Sequence, residues 1–190
     1  MSSNYPNWFL MTSLYHFHNY LQEYKNKQGL KFLQVGSYTG DASKWLLDNI
    51  LTDTTSTLTD IDTWAGSDEA VHKQFDWNDV ELTYDNKMAK FSNIIKQKQS
   101  SKDFLENDNN EYDFIYIDGD HTAAGVYSDA VLSWKLLKSG GIIAFDDYTW
   151  QHESGDPEKA PGIAIDRFLK EQEGLFVLLE QSNQVWVRKM

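Results

Sequence analysis

The stretch Tyr112-Asp113-Phe114-Ile115-Tyr116-Ile117-Asp118-Gly119-Asp120-His121 decides the reading of this chain. Residues 112–117 form a β-prone run with little polar alternation, as expected of a strand buried on both faces of a parallel sheet. Two aspartates flanking a glycine end that run abruptly. Thr122 to Leu137 then reads as a helix, stopped by Ser139-Gly140-Gly141. Ile142 to Phe145 repeats the pattern, a short apolar run ending in Asp146-Asp147. Strand, helix and strand in this order make one βαβ unit with acidic strand ends.

The same alternation continues in both directions. Upstream, Leu30 to Val35 is a short strand, Asp41 to Ile50 a helix and Thr57 to Ile61 a second strand. Ser67 to Ser92 is polar and reads as one helix or two. Ile94 to Gln99 is a weaker strand, and Ser101 to Glu106 starts another helix. Downstream, Pro161 opens a helix running to Glu171, at a position proline tolerates. Leu175 to Gln181 and Gln184 to Lys189 form a hairpin through Ser182-Asn183. Trp8 to Tyr24 has aromatic and aliphatic residues near helical spacing. Residues 1–29 thus form a helical extension to a domain over residues 30–190, and the aromatic helix is a candidate homodimer interface. His16 and His18, two residues apart, fall off one helix face and read as surface residues. The fold class is α/β, a Rossmann-like, doubly wound, mostly parallel sheet with an antiparallel C-terminal strand.

Composition narrows the function classes. A length of 190 residues suits one domain, and 41% hydrophobic content with 14% aromatic marks a globular chain. The absence of cysteine excludes disulfides, thiolate metal sites and cysteine nucleophiles. A net charge of −12 opposes binding to nucleic acid or anionic membranes and suits a small neutral or cationic partner, or a bound cation. No apolar run is long enough to span a bilayer, and the segment Met1 to Pro6 lacks a signal-peptide pattern, which is compatible with a cytoplasmic location.

In such sheets ligands bind beyond the carboxyl ends of the strands. Gly36-Ser37-Tyr38-Thr39-Gly40 lies at the first of these ends, where glycines allow close backbone approach and a helix start offers free N–H groups. The spacing lacks the third glycine of dinucleotide sites and the lysine of a P-loop. A tight strand–helix turn is the competing reading. Asp62 ends the second strand, where an acidic side chain can accept from ribose hydroxyls; a plain turn aspartate is the alternative, and Asp60 is its competitor. Trp64 offers a stacking surface for adenine or ordinary packing. Asp118, Asp120, His121, Asp146 and Asp147 crowd two neighbouring strand ends. Carboxylates so close repel one another, and a divalent cation with oxygen ligands relieves this. The competing role is helix capping. His152, in the following loop, is placed to cover the site or to be solvated.

These segments together resemble class I S-adenosylmethionine-dependent methyltransferases. Within them the chain is similar to a small group with an "IDGDH…GG…FDDY" signature, related to macrocin-type sugar O-methyltransferases and more distantly to the catechol type. The resemblance rests on Phe32 to Gly40, Asp60 to Trp64, Phe114 to His121, Leu136 to Gly141, Ile142 to Tyr148 and Pro161 to Ile163. It implies a seven-stranded sheet of order 3-2-1-4-5-7-6. It implies that Gly36, Ser37, Tyr38 and Gly40 carry the methionine part of S-adenosylmethionine, with Asp62 on its ribose, Ser101 near its adenine and Asp118 and Trp64 beside it. It also implies Asp118, Asp146 and Asp147 as ligands for Mg2+ or another divalent cation, and Asp120, or alternatively His121, as the base. The expected acceptor is a hydroxyl on a sugar or other small molecule. The glutamate usual before the glycine loop is Gln34 here. A nicotinamide-dependent oxidoreductase and a non-catalytic binding domain, with which the seven tryptophans are compatible, are the alternatives.

Overall fold

The structure, a computed structural model, describes residues 5–67, 69–151 and 154–190; His152 lies outside them. Seven strands form one sheet: β1 (Lys31–Val35), β2 (Thr57–Asp62), β3 (Ile94–Lys98), β4 (Tyr112–Ile117), β5 (Leu137–Phe145), β6 (Phe176–Gln181) and β7 (Val185–Lys189). Their order is β3-β2-β1-β4-β5-β7-β6. β7 pairs antiparallel with both β5 and β6, while the other pairs are parallel. The expected architecture and order are therefore those observed.

The helices are α1 (Leu14–Tyr20), α2 (Asp41–Asn49), α3 (Trp77–Met88), α4 (Ser101–Asn107), α5 (Ala123–Leu136) and α6 (Pro161–Glu171). The ambiguous 67–92 segment resolves into a short 3₁₀ turn, His72–Gln74, followed by α3. Asp76 caps α3 by accepting the Asn78 N–H, and Thr122 caps α5 by accepting that of Gly125.

Because side chains alternate across a strand, β4 feeds two cores. Phe114 and Tyr116 join Phe17, Leu46, Tyr84 and Trp186 on one face. Ile115 and Ile117 join Val126, Trp134, Ile165 and Phe168 on the other. The N-terminal helix is part of the first core: Phe17 and Leu21 are fully buried there. His16, read from sequence as a surface residue, is buried too, with Nε2 3.1 Å from Asn183 Oδ1. The β6–β7 turn covers it. The glycines at 140 and 141 do not stop α5. The chain passes from Leu136 straight into β5, and the glycines sit at an irregular pairing between β4 and β5.

Asp60 is a buried acid in β2 that accepts a hydrogen bond from Tyr84 Oη at 2.9 Å. Burial pushes its pKa up to about 7. A carboxyl raised in the folded state favours folding in its protonated form, so its contribution declines as pH rises from about 4 towards 7 and is constant above that. Relative to Asp60→Asn, the protein should lose on the order of 4 kcal/mol between pH 4 and pH 8. Urea unfolding of both at the two pH values measures this; parallel pH profiles would contradict it.

Candidate active site

The loop after β1 is shaped by its backbone. Gly36 has φ +83° and packs so tightly on the β4 tip that a Cβ would lie 1.8 Å from the Asp118 carbonyl oxygen. Gln34, buried in β1, donates from Nε2 to the Gly36 carbonyl at 2.9 Å and lies 3.3 Å from the Ser43 hydroxyl that donates to its Oε1. A glutamate could not make the first of these bonds, so the exchange at this position suits this loop. Asp62 binds the same loop from β2. Its Oδ2 accepts the N–H groups of Ser37 (2.8 Å) and Tyr38 (2.9 Å), and its Oδ1 accepts that of Trp64 (2.7 Å). Tyr38 and Trp64 both have positive φ, 47° and 46°, a conformation that persists only where neighbours hold it.

The acidic end is built by the tips of β4 and β5. Asp118, His121 and Asp147 each place one donor atom within 4.8 Å of the others. His121 Nε2 lies 3.0 Å from Asp147 Oδ2 and 3.6 Å from Asp118 Oδ1. Its Nδ1 lies 2.9 Å from Glu69 Oε1. The recessed setting pushes Asp118 up to about 8, helped by the charge of Asp146, and burial raises Asp147 to about 6. Burial opposes charge on His121, but hydrogen bonds to Asp118 and Glu69 and the charge of Asp147 outweigh it and hold its pKa well above the ordinary range. Burial would likewise raise Glu69, but the His121 hydrogen bond and charge hold it down near 2.

Asp146 does not face this cluster. Its Oδ2 accepts from Tyr116 Oη and from Ser13 Oγ (3.0 Å), and its Oδ1 accepts the Asp147 N–H (2.8 Å). Of the expected ligand set, Asp118 and Asp147 converge with His121, whereas Asp146 points elsewhere because neighbouring residues on a strand end diverge. Donors around one ion stand roughly 3 Å apart, so the two carboxylates and the imidazole fit a divalent cation.

A cavity of about 830 Å³ joins the two ends. Of the expected cofactor residues, Gly36, Tyr38, Asp62, Ser101 and Asp118 line it, as do Asp120 and His121. Asp120 Oδ1 accepts the Thr122 N–H at 2.9 Å, which fixes its carboxylate at the cavity wall. Ser37, Gly40 and Trp64 are not on the wall. Ser37 is buried behind the loop, and Gly40 starts α2 against Tyr84. The Trp64 ring, 4% exposed, packs on Tyr84 and under Lys96, with Nε1 donating to the Tyr38 carbonyl. It is a support for the loop, not an adenine platform.

Sequence reasoning missed Trp8, Glu69, His72, Trp77 and Trp150, all on the wall. Trp8 stacks on Tyr38 at 4.7 Å between centroids, so the N-terminal segment closes one side. The aromatic spacing around Trp8 was visible in the sequence, but nothing local marked Glu69, 52 positions from the histidine it binds.

Residues 33–148 match a family described as a methyltransferase domain. A Dictyostelium discoideum protein named probable caffeoyl-CoA O-methyltransferase 3 is 28% identical over 80% of this chain, which spans 59% of that relative's length. In fold the chain is similar to the O-methyltransferase NovP, with TM-score 0.64 and 15% identity, covering 84% of this chain and 72% of the other. It is also similar to MycE from the mycinamycin biosynthetic pathway, solved with Mg and SAH, with TM-score 0.61 and 16% identity, covering 92% and 48%. Among the described residues no helix is long and apolar enough to cross a membrane.

Proposed function

Because this chain belongs to the methyltransferase-domain family, we propose that it moves the methyl group of S-adenosylmethionine to a hydroxyl of a small molecule held beside Asp118, His121 and Asp147. The observation that carries this is one cavity that runs from the glycine loop, Asp62 and Ser101 to Asp118 and His121, with Asp147 behind His121. Its volume suits a cofactor and a small acceptor together. Neither nucleic acid nor a membrane fits as the acceptor, given a net charge of −12.

In this reading the loop end binds the cofactor and the acidic end receives the acceptor. The hydroxyl oxygen attacks the methyl carbon in line. The carbon–sulfur bond breaks with its electron pair passing to sulfur, which leaves S-adenosylhomocysteine. Asp120, held by the Thr122 N–H on the cavity wall, takes the hydroxyl proton. Fixing the two reactants in that line supplies much of the acceleration. A divalent cation held by Asp118, His121 and Asp147 would lower the hydroxyl's pKa. The aromatic rings of Trp8, Trp77 and Trp150 on the wall suit a flat or ring-shaped acceptor such as a sugar, whose apolar face stacks on indole.

Calorimetry with S-adenosylhomocysteine tests the cofactor assignment. The chain should bind it, and Asp62→Ala should weaken binding at least about tenfold, ~1.4 kcal/mol, because the Ser37 and Tyr38 N–H groups of the glycine loop and the Trp64 N–H after β2 lose their acceptor. Absence of binding at millimolar ligand would overturn the reading. A nicotinamide-dependent oxidoreductase, open at the level of residues, gains no support from the family match.

A further inference from the structure

We infer that the cation site of this chain is an imidazole-containing site, oriented by Glu69, that prefers a later first-row transition ion of the Fe2+ to Zn2+ class over Mg2+. The inference rests on the methyltransferase reading only for the place of the acceptor, not for the donor set.

The donors decide it. Asp146, which would complete an all-oxygen set, is committed to Tyr116, Ser13 and the Asp147 N–H. The atoms that converge are one oxygen each of Asp118 and Asp147 and Nε2 of His121. Nε2 is buried and has no well-aligned hydrogen-bond partner, although the two carboxylate oxygens stand 3.6 and 3.0 Å away. It is held between the two carboxylates by ion-pair contacts alone, and an ion entering there would take the place of its proton. Mg2+ takes oxygen ligands and keeps its waters, whereas imidazole suits later first-row ions.

Glu69 supplies the other half of the arrangement. Its Oε1, 2.9 Å from His121 Nδ1, accepts the Nδ1 proton and so leaves Nε2 as the ligating nitrogen. Ser67 donates to the same carboxylate oxygen at 3.1 Å, and the Trp150 ring packs on the imidazole at 5.6 Å. Carboxylate, imidazole and ion in line is a recurrent second-sphere arrangement of histidine metal sites. Here the carboxylate comes from the loop between β2 and α3, so that loop and the ion would order each other.

The test uses the full chain stripped with EDTA. Co2+ is titrated and followed by its visible absorption, and Mg2+ is titrated by calorimetry and by competition. Wild type should bind Co2+ at least about tenfold more tightly than Mg2+. His121→Asp, which restores an all-oxygen set, should lower the Co2+/Mg2+ affinity ratio at least about tenfold, and Glu69→Gln should weaken Co2+ binding about tenfold. An unchanged ratio in His121→Asp, or no Co2+ binding by wild type, would overturn the inference. His121→Gln serves as a second variant, with circular dichroism as the folding check. S-adenosylhomocysteine binding measured in EDTA separates this outcome from failure of the methyltransferase reading itself.

Discussion

Gly36→Ala should destabilise the protein by at least about 3 kcal/mol and abolish S-adenosylhomocysteine binding. Two effects act at one residue. The backbone at Gly36 has φ +83°, which strains any L side chain. An added Cβ would also lie 1.8 Å from the Asp118 oxygen, 2.5 Å from its carbonyl carbon and 2.8 Å from Gly119 Cα. All three are backbone atoms, so no rotamer change relieves the clash. Nor can the strand tips separate cheaply. The Gly36 N–H donates to the Ile61 carbonyl at 2.8 Å, and the Asp118 N–H donates to the Val35 carbonyl at 2.9 Å. Relief therefore breaks hydrogen bonds at the point where both halves of the cavity meet. Gly140 provides the control, since its φ of +82° is similar but nothing lies within 4 Å of an added Cβ. Gly140→Ala should cost about 1 kcal/mol. Urea unfolding of both variants measures the difference; equal losses would show that the close approach of β1 to β4 is unimportant.

That contact also shows what a sequence can and cannot disclose. The strands were legible because short apolar runs ending in glycine or aspartate have few other readings. The strand order came from the resemblance and not from those runs. The position of the site followed, since ligands gather at the carboxyl ends of parallel strands. The roles of individual residues did not follow as well. Trp64 follows Asp62 closely, yet its positive φ turns the indole under the loop. Asp146 and Asp147 look equivalent in the sequence, but adjacent residues at a strand end point in different directions, and one of them faces the N-terminal helix. Glu69 had no local signal at all. It reaches His121 because a loop folds over the sheet edge, which is a tertiary event.

Asp146→Ala should remove about 3–4 kcal/mol of stability and weaken Co2+ binding at least about tenfold, although Asp146 is not one of the converging ligands. The carboxylate is a junction. It accepts from Tyr116 Oη in the sheet, from Ser13 Oγ at the start of α1 and from the Asp147 N–H. Hydrogen bonds to an ionised group contribute about 1.5–3 kcal/mol each and are not additive. Truncation leaves the Tyr116 hydroxyl, on a residue 1% exposed, without its carboxylate. It also frees Asp147, whose φ of +56° is otherwise fixed through that N–H and through the Trp150 N–H donating to the Asp147 carbonyl at 2.9 Å. Ser13→Ala removes only one of the three contacts of the carboxylate, although the Ser13 hydroxyl also meets Tyr116 Oη (3.2 Å) and Gln184 Nε2 (2.9 Å); Gln184 Nε2 keeps Tyr116 Oη within 3.5 Å, so the loss should stay at about 1–2 kcal/mol. Asp146→Asn separates the two possible roles. As a junction, the amide keeps an acceptor and an isosteric shape, so most stability and most Co2+ affinity return. As a direct ligand, Asp146→Asn would lose the ion as severely as Asp146→Ala while remaining stably folded. Denaturant unfolding and Co2+ titration on the same three variants decide between them, and the second pattern would return Asp146 to the coordination sphere in place of His121.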